Sequence, residues 1–190
     1  MPTIITVPDK RLRLKSKQIK KYDDTVDKLI ADLKTALINH EDPEGVGISA
    51  PQIGVNLQVF ITKKVDAAGK PLAGDDAFQV FINPVITKYS SDLNWDHLKP
   101  EDHYYEGCLS VPGIYGEVTR PWSITVTYDQ LTTLHCHAIL STTTVELNGL
   151  PAIYFQHEYD HLQGIIFTDL VLKQSGKLYE LAEDGNFKEI

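Results

Sequence analysis

A chain of 190 residues, 42% apolar and 23% charged, has the length for one domain with one sizeable core and the composition of an ordinary soluble globular protein. Its formal net charge of −8 argues against non-specific attraction to nucleic acid or anionic lipid, which needs a positive field. No apolar run approaches the roughly 18–20 residues that span a bilayer, Met1-Pro2-Thr3-Ile4-Ile5 lacks the parts of a secretory signal, and two cysteines make no disulfide framework; a cytoplasmic protein is expected.

Residues 10–21 hold seven Lys and Arg. They read as a solvated face leading into a helix, with an RNA-docking patch as the alternative. From residue 16 to about 40, Ile19, Tyr22, Val26, Leu29, Ile30, Leu33 and Leu37 recur three or four apart, the apolar face of an amphipathic helix that Pro43 and Gly45 end. Gly45-Val46-Gly47-Ile48-Ser49-Ala50-Pro51-Gln52-Ile53-Gly54 then forms a glycine-rich turn into a strand over 55–62, followed by a loop at 66–76. Residues 80–86, 123–128 and 134–140 read as further strands, rich in β-branched and aromatic side chains. The polar stretch between Pro84 and Tyr105, with Asp92, Asp96, His97, Glu101, Asp102 and His103, reads as a surface loop or insertion.

A second helix begins near Pro151, preceded by Asn148 and Gly149, with Gly164 where a C-terminal cap belongs. Strands fill the middle and helices lie toward both ends, an order that fits α+β rather than alternating βαβ units. The expected fold is antiparallel sheets packed around the second helix, with the N-terminal amphipathic helix beside them. Residues 1–170 are expected to form the domain and 171–190, mixed and acidic, a tail without a firm element.

His157-Glu158-Tyr159-Asp160-His161 carries the sharpest chemical signal. On a helix, positions i and i+4 share one face, so both imidazoles can reach one metal ion, and Glu158, rotated by about 100°, can bond a water on it. The alternative is an exposed charged turn, but the neighbouring Ile153, Tyr154, Phe155, Leu162, Ile165, Ile166 and Phe167 make the face look buried, and buried histidines need partners. A catalytic site needs a third ligand from His, Glu or Cys. No Glu or His follows His161 until Glu180, which weakens an internal-bond metallopeptidase. Cys108, in Glu106-Gly107-Cys108-Leu109-Ser110-Val111-Pro112-Gly113, is the better candidate, although a lone Cys taken by itself is more often a small buried hydrophobe. His135-Cys136-His137 alternates on a strand, both histidines on one side and the cysteine on the other, and reads as surface or core. His97 and His103 read as loop residues, and Arg120 and Glu106 as a structural pair near the site.

Three motifs in this order resemble the peptide deformylase family: the glycine-rich segment ending in Gln52, Glu106-Gly107-Cys108-Leu109-Ser110, and His157 to His161 with Gln156 before it. Val7-Pro8-Asp9 and Leu12-Arg13 are similar to the family's opening, so the likeness covers about residues 4–170. Ile48-Ser49 stands where the family usually has Leu-Ala, the stretch after Pro84 is longer than in the shortest members, and no subclass is assigned.

The resemblance implies removal of the formyl group from the N-terminal formyl-methionine of new peptides, with release of formate. It implies that Cys108, His157 and His161 bind one divalent ion, iron(II) by the family's habit, with zinc, nickel or cobalt suiting the same ligands. Glu158 would shuttle the proton, while the Gln52 amide and the Leu109 backbone N–H would stabilise the oxyanion. Gly47, Glu106 and Gly107 would offer backbone contacts to an extended peptide; Val46, Ile153 and Tyr154 would wall the methionine pocket. A monomer without membrane contact, meeting the ribosome transiently, is expected. The rival from another class is a non-catalytic protein with a structural zinc closed by a fourth ligand, for which Cys136 would have to serve.

Overall fold

The computed structural model describes residues 2–40, 45–66, 72, 74, 77–99, 103–134, 137–182 and 185–190, without the side chains of 132–139. In chain order the elements are α1 (Asp24–Ile38), β1 (Gly47–Ser49), β2 (Val59–Lys63), β3 (Phe78–Tyr89), α2 (Asn94–His97), β4 (Glu106–Cys108), β5 (Val111–Gly116), β6 (Ser123–Leu134), β7 (His137–Asn148), α3 (Leu150–Leu162), α4 (Phe167–Lys173), β8 (Leu178–Leu181) and β9 (Phe187–Glu189). Among them run two antiparallel sheets, ordered β1-β2-β3-β6-β7 and β4-β5-β8-β9. The class is therefore mixed helix and antiparallel sheet.

Alternation along the central strands decides what covers the larger sheet. In β2, Val59 and Ile61 join Leu29, Leu33 and Leu37 of α1 in one apolar cluster, while Phe60 between them joins Phe155 and Leu162 of α3 in another. Ile82 and Phe81 of β3 divide in the same way. The sheet thus lies between α1 and α3, and β2 is buried on both faces. Each such side chain removed from water contributes about 1.5–3 kcal/mol. A third cluster packs the smaller sheet, through Val111, Ile114 and Leu178, against Phe167 and Val171 of α4.

The helix expected from residue 16 begins only at Asp24, capped by the Asp23 carboxylate, which accepts from Thr25 N at 3.0 Å. Before it the chain runs extended, because Asn83 clamps the backbone of Ile19: its Nδ2 donates to Ile19 O and its Oδ1 accepts from Ile19 N, both at 2.8 Å. Ile19 and Tyr22 still reach the α1 cluster, so their spacing reports burial and not helix. Lys10–Arg13 of the basic run form a single 3-10 turn. The strand expected at 134–140 spans the end of β6 and the start of β7, whose twelve residues pair along β6 from Ser123↔Asn148 to Leu134↔His137.

The expected loop after Pro84 is partly built structure. There β3 continues to Tyr89, and α2 follows with Asn94 fully buried. Residue 170 lies within α4, and the acidic C-terminal stretch adds β8 and β9 to the smaller sheet.

Candidate active site

Helix α3 starts after Gly149, whose φ of +64° suits glycine, and carries Pro151 in its first turn. Past its end Gly164 takes φ +74° and approaches Arg13 so closely that a Cβ would lie 2.5 Å from the Arg13 carbonyl oxygen. This anchored helix is buried along most of its length, Glu158 and His161 included. Its i, i+4 spacing brings the His157 and His161 rings to 5.2 Å.

Strand β4 delivers Cys108, whose Sγ lies 3.2 Å from His161 Nε2. One ligand atom each from Cys108, His157 and His161 falls within 4.8 Å of the others. Burial, together with the charges of His157 and Arg120, pushes the His161 pKa well down, which leaves a neutral imidazole whose Nδ1 has no hydrogen-bond partner. A thiol and two imidazoles, one of them fully buried and held neutral, make a donor set that fits a divalent transition-metal ion.

Behind these ligands stands a buried ionic lattice. His157 Nδ1 donates to Glu106 Oε2 at 3.0 Å, so Nε2 is the nitrogen left for the cluster. Arg120 grips Glu106 through Nε and Nη2, the latter at 2.9 Å, and reaches Asp160 Oδ2 at 2.9 Å through Nη1. Burial alone would raise the Glu106 pKa, but Arg120 and His157 outweigh it and bring it down to about 2. His157 is raised well above the ordinary range, its burial outweighed by Cys108 and Glu106.

The pairing of Arg120 with Glu106 was legible in the sequence; Asp160 and Asn94 were not singled out. Asp160 sits inside the motif, three residues after His157, and that spacing was the available signal. Asn94 had none: it accepts from Arg120 N at 3.0 Å and donates to Val118 O at 3.0 Å, holding the arginine from a segment that reads as loop.

Glu158, on the same helix and packed against Gly47, is also buried. Burial pushes its pKa up to about 7, and its Oε2 has no protein partner. Gly47 is the residue its carboxylate requires, because a Cβ there would lie 2.7 Å from Glu158 Oε1. Gln52 is oriented from behind: its Oε1 accepts from Ser49 N and Ser49 Oγ, both at 2.8 Å, which turns Nε2 toward Cys108 Sγ at 3.5 Å. The serine that departs from the family's usual alanine thus holds the amide.

A cavity of about 570 Å³ opens at this point. Val46, Gly47 and Gln52 line one side; Glu106, Gly107, Cys108 and Leu109 another; Ile153, Tyr154, His157 and Glu158 the floor. Of the residues to which the resemblance assigns a role, His161 lies behind the wall, buried next to Cys108, and the others line the cavity. Strands β1 and β4 are the end strands of their sheets, and both contribute to the lining. His97 pairs with Asp92 and stacks on Trp122, and His103 leans on Trp95, outside the cluster. His135 and Cys136 lie outside the described residues, as does the side chain of His137.

A sequence model described as polypeptide deformylase matches residues 1–177. The chain is 38% identical over 171 residues to peptide deformylase 1B, chloroplastic/mitochondrial, of Arabidopsis thaliana, covering 90% of this chain and 54% of that protein. It is also 38% identical over 184 residues to peptide deformylase 2 of Gloeobacter violaceus, covering 96% and 85%. It thus spans about half the length of the plant relatives, 53% for the rice protein. A crystal structure of the Arabidopsis enzyme with an inhibitor superposes with a TM-score of 0.68 at 37% identity, covering 90% of this chain and 82% of that one. A Met-Ala-Ser-bound peptide deformylase from Acinetobacter baumannii superposes with a TM-score of 0.67 at 26% identity, covering 88% and 96%. The chain belongs to the polypeptide deformylase family.

Proposed function

We propose that this family member is a metal-dependent amide hydrolase that removes the formyl group from the N-terminal formyl-methionine of newly synthesised peptides, releasing formate. The observation that carries the reading is the convergence of a thiol and two imidazoles within 4.8 Å, beside a buried carboxylate oxygen without a protein partner and at the wall of a cavity. The catalytic unit acts as a monomer in the cytoplasm on chains leaving the ribosome. No helix among the described residues is long and apolar enough to cross a membrane.

Cys108, His157 and His161 would hold one divalent ion, which when bound lowers the pKa of a water and polarises the formyl carbonyl. Iron(II) is the ion that the resemblance implies, and zinc, nickel and cobalt suit the same donors. Glu106, kept anionic by Arg120, fixes the tautomer and orientation of His157. Glu158 Oε2 takes the proton of the attacking water and passes it to the departing amine nitrogen, a role for which a pKa near neutrality is suited. Gln52 Nε2 and the Leu109 backbone N–H stabilise the developing oxyanion, a donor of this kind being worth about 3–4 kcal/mol of barrier.

Recognition of an extended peptide is supported by the two open sheet edges. Gly47 of β1 and Glu106 and Gly107 of β4 offer backbone groups to a strand laid between them, the mode of strand addition. Val46, Ile153 and Tyr154 form the apolar pocket for methionine. A structural zinc would need a closed shell of four ligands, and Cys108 faces a cavity instead.

The test is formate release from formyl-Met-Ala-Ser by the metal-loaded protein. Release with no cleavage of internal bonds is expected. Internal cleavage would establish a peptidase, and inert metal-loaded protein would establish the structural-zinc alternative.

A further inference from the structure

One face of the smaller sheet carries aromatic rings that the proposed chemistry does not use. Gly107 pairs with Tyr115, Tyr115 with Tyr179 and Tyr179 with Glu189 across its four strands. Tyr105 and Phe187, two residues from Gly107 and Glu189, fall on the same face by alternation. Their rings form one rack: Tyr105 lies 4.3 Å from Tyr179, and Phe187 meets Tyr105 and Tyr115 edge-on, each at 5.0 Å. Cys108, Ile114 and Leu178 point the other way and join the cluster with α4.

The rack reaches the cleft. A Cβ on Gly107 would lie 2.7 Å from Tyr115 Cε1, so the missing side chain is what lets the Tyr115 ring lie across the open edge of β4. Tyr105 and Tyr115 line the same cavity as Gln52 and Glu158. Phe187, 44% exposed, closes the row on the solvent side. Without β8 and β9 both tyrosines would lose the rings that fix their rotamers.

Resting on the deformylase reading, we propose that the C-terminal hairpin is a specificity element of the peptide site. Phe187 and Tyr179 are positioning residues that hold Tyr105 and Tyr115 as a wall for the side chain following methionine, favouring aromatic and large apolar residues there. The geometry of strand addition leads to this assignment. Successive side chains of a peptide laid along β4 point alternately to the Cys108 face and to the Tyr115 face. With formyl-methionine committed to the Cys108 side, the next residue meets the rack. Aromatic contacts of this kind favour offset or edge-on partners and discriminate modestly but measurably.

The experiment measures kcat and KM of the full-length, metal-loaded protein for formyl-Met-Phe-Ser and formyl-Met-Gly-Ser, and calorimetric binding of the products Met-Phe-Ser and Met-Gly-Ser. The wild type should show a KM and a product Kd lower by roughly 3- to 10-fold for the phenylalanine peptide. Phe187→Ala should erase that ratio with kcat little changed, and Phe187→Tyr, which keeps the ring, should restore it. Deformylation of both peptides with equal KM in the wild type, or a Phe187→Ala protein that keeps the ratio, overturns the rack and leaves the deformylase reading standing. Absence of formate release from both peptides in the wild type overturns that reading, and this one with it.

Discussion

On one side of α3, Ala152, Phe155 and Leu162 pack into a dry aromatic core, where Phe155 meets Phe60 and Phe81 edge-on at 5.0 and 4.9 Å. Nearer the cavity, Glu158 and His161 are buried as deeply, at 4% and 1% exposure, yet each keeps a polar atom without a protein partner. A buried polar group left unpaired costs about 1–3 kcal/mol, so the polar face works against folding while the apolar face drives it. One helix thus carries both the stability and the unsatisfied groups that an ion and a substrate would satisfy. The contrast teaches where to expect loss of function without loss of fold, and the reverse.

The sharpest way to break the comparison is Glu158→Gln. The amide matches the carboxylate in size and cannot accept a proton at neutral pH, so turnover of a formyl-methionyl peptide should fall by about 10²–10⁴ or more. Metal stoichiometry and melting temperature should remain at or above those of the wild type, because a buried carboxylate has been neutralised. An active Glu158→Gln protein would contradict the proton-shuttle role.

Phe155→Ala probes the aromatic core beneath the helix. Truncating a buried aromatic typically costs about 3–5 kcal/mol, to be read from denaturant unfolding. The fraction still folded should bind metal at near-wild-type stoichiometry, because the Phe155 ring packs against Phe60, Phe81 and Tyr159. A stable Phe155→Ala protein with impaired metal binding would mean that the two faces are not separable.

The smallest effect belongs to Ser49→Ala, which removes one of two hydrogen bonds holding Gln52 Oε1. Since the Ser49 N–H bond remains, the loss should be about 0.5–1.5 kcal/mol in unfolding free energy. Turnover should drop by no more than about tenfold by the same arithmetic. A larger fall would show that the hydroxyl's hydrogen bond to the Glu158 carboxylate outweighs its hold on the amide.

What could be read from the sequence follows the range of the interactions. The histidines and Glu158 share one helical turn, so local spacing was enough to group them, and the glycine-rich turn before residues 55–62 marked a strand. Cys108 needed the family motif, because nothing local ties a strand-end thiol to a helix 49 residues away. Residues 16–23 misled the periodicity argument: Asn83, distant in sequence, supplies the backbone hydrogen bonds that a helix would have made for itself. Asn94 and the C-terminal strands were hidden for the same reason. Strands as short as Leu178–Leu181 and Phe187–Glu189 exist because β5 offers an edge, and no pattern within three or four residues announces a partner so far away.

The central claim, that Cys108, His157 and His161 form one metal site, is tested most directly by cobalt(II) titration of metal-free protein under anaerobic conditions, following thiolate-to-cobalt charge-transfer absorption. The wild type should saturate at one equivalent with that band present. His97→Ala, altered at a histidine outside the cluster, should titrate in the same way, and Cys108→Ser should lose the band. A Cys108→Ser protein that keeps the charge-transfer band, or a wild type that binds cobalt without one, would contradict the assignment.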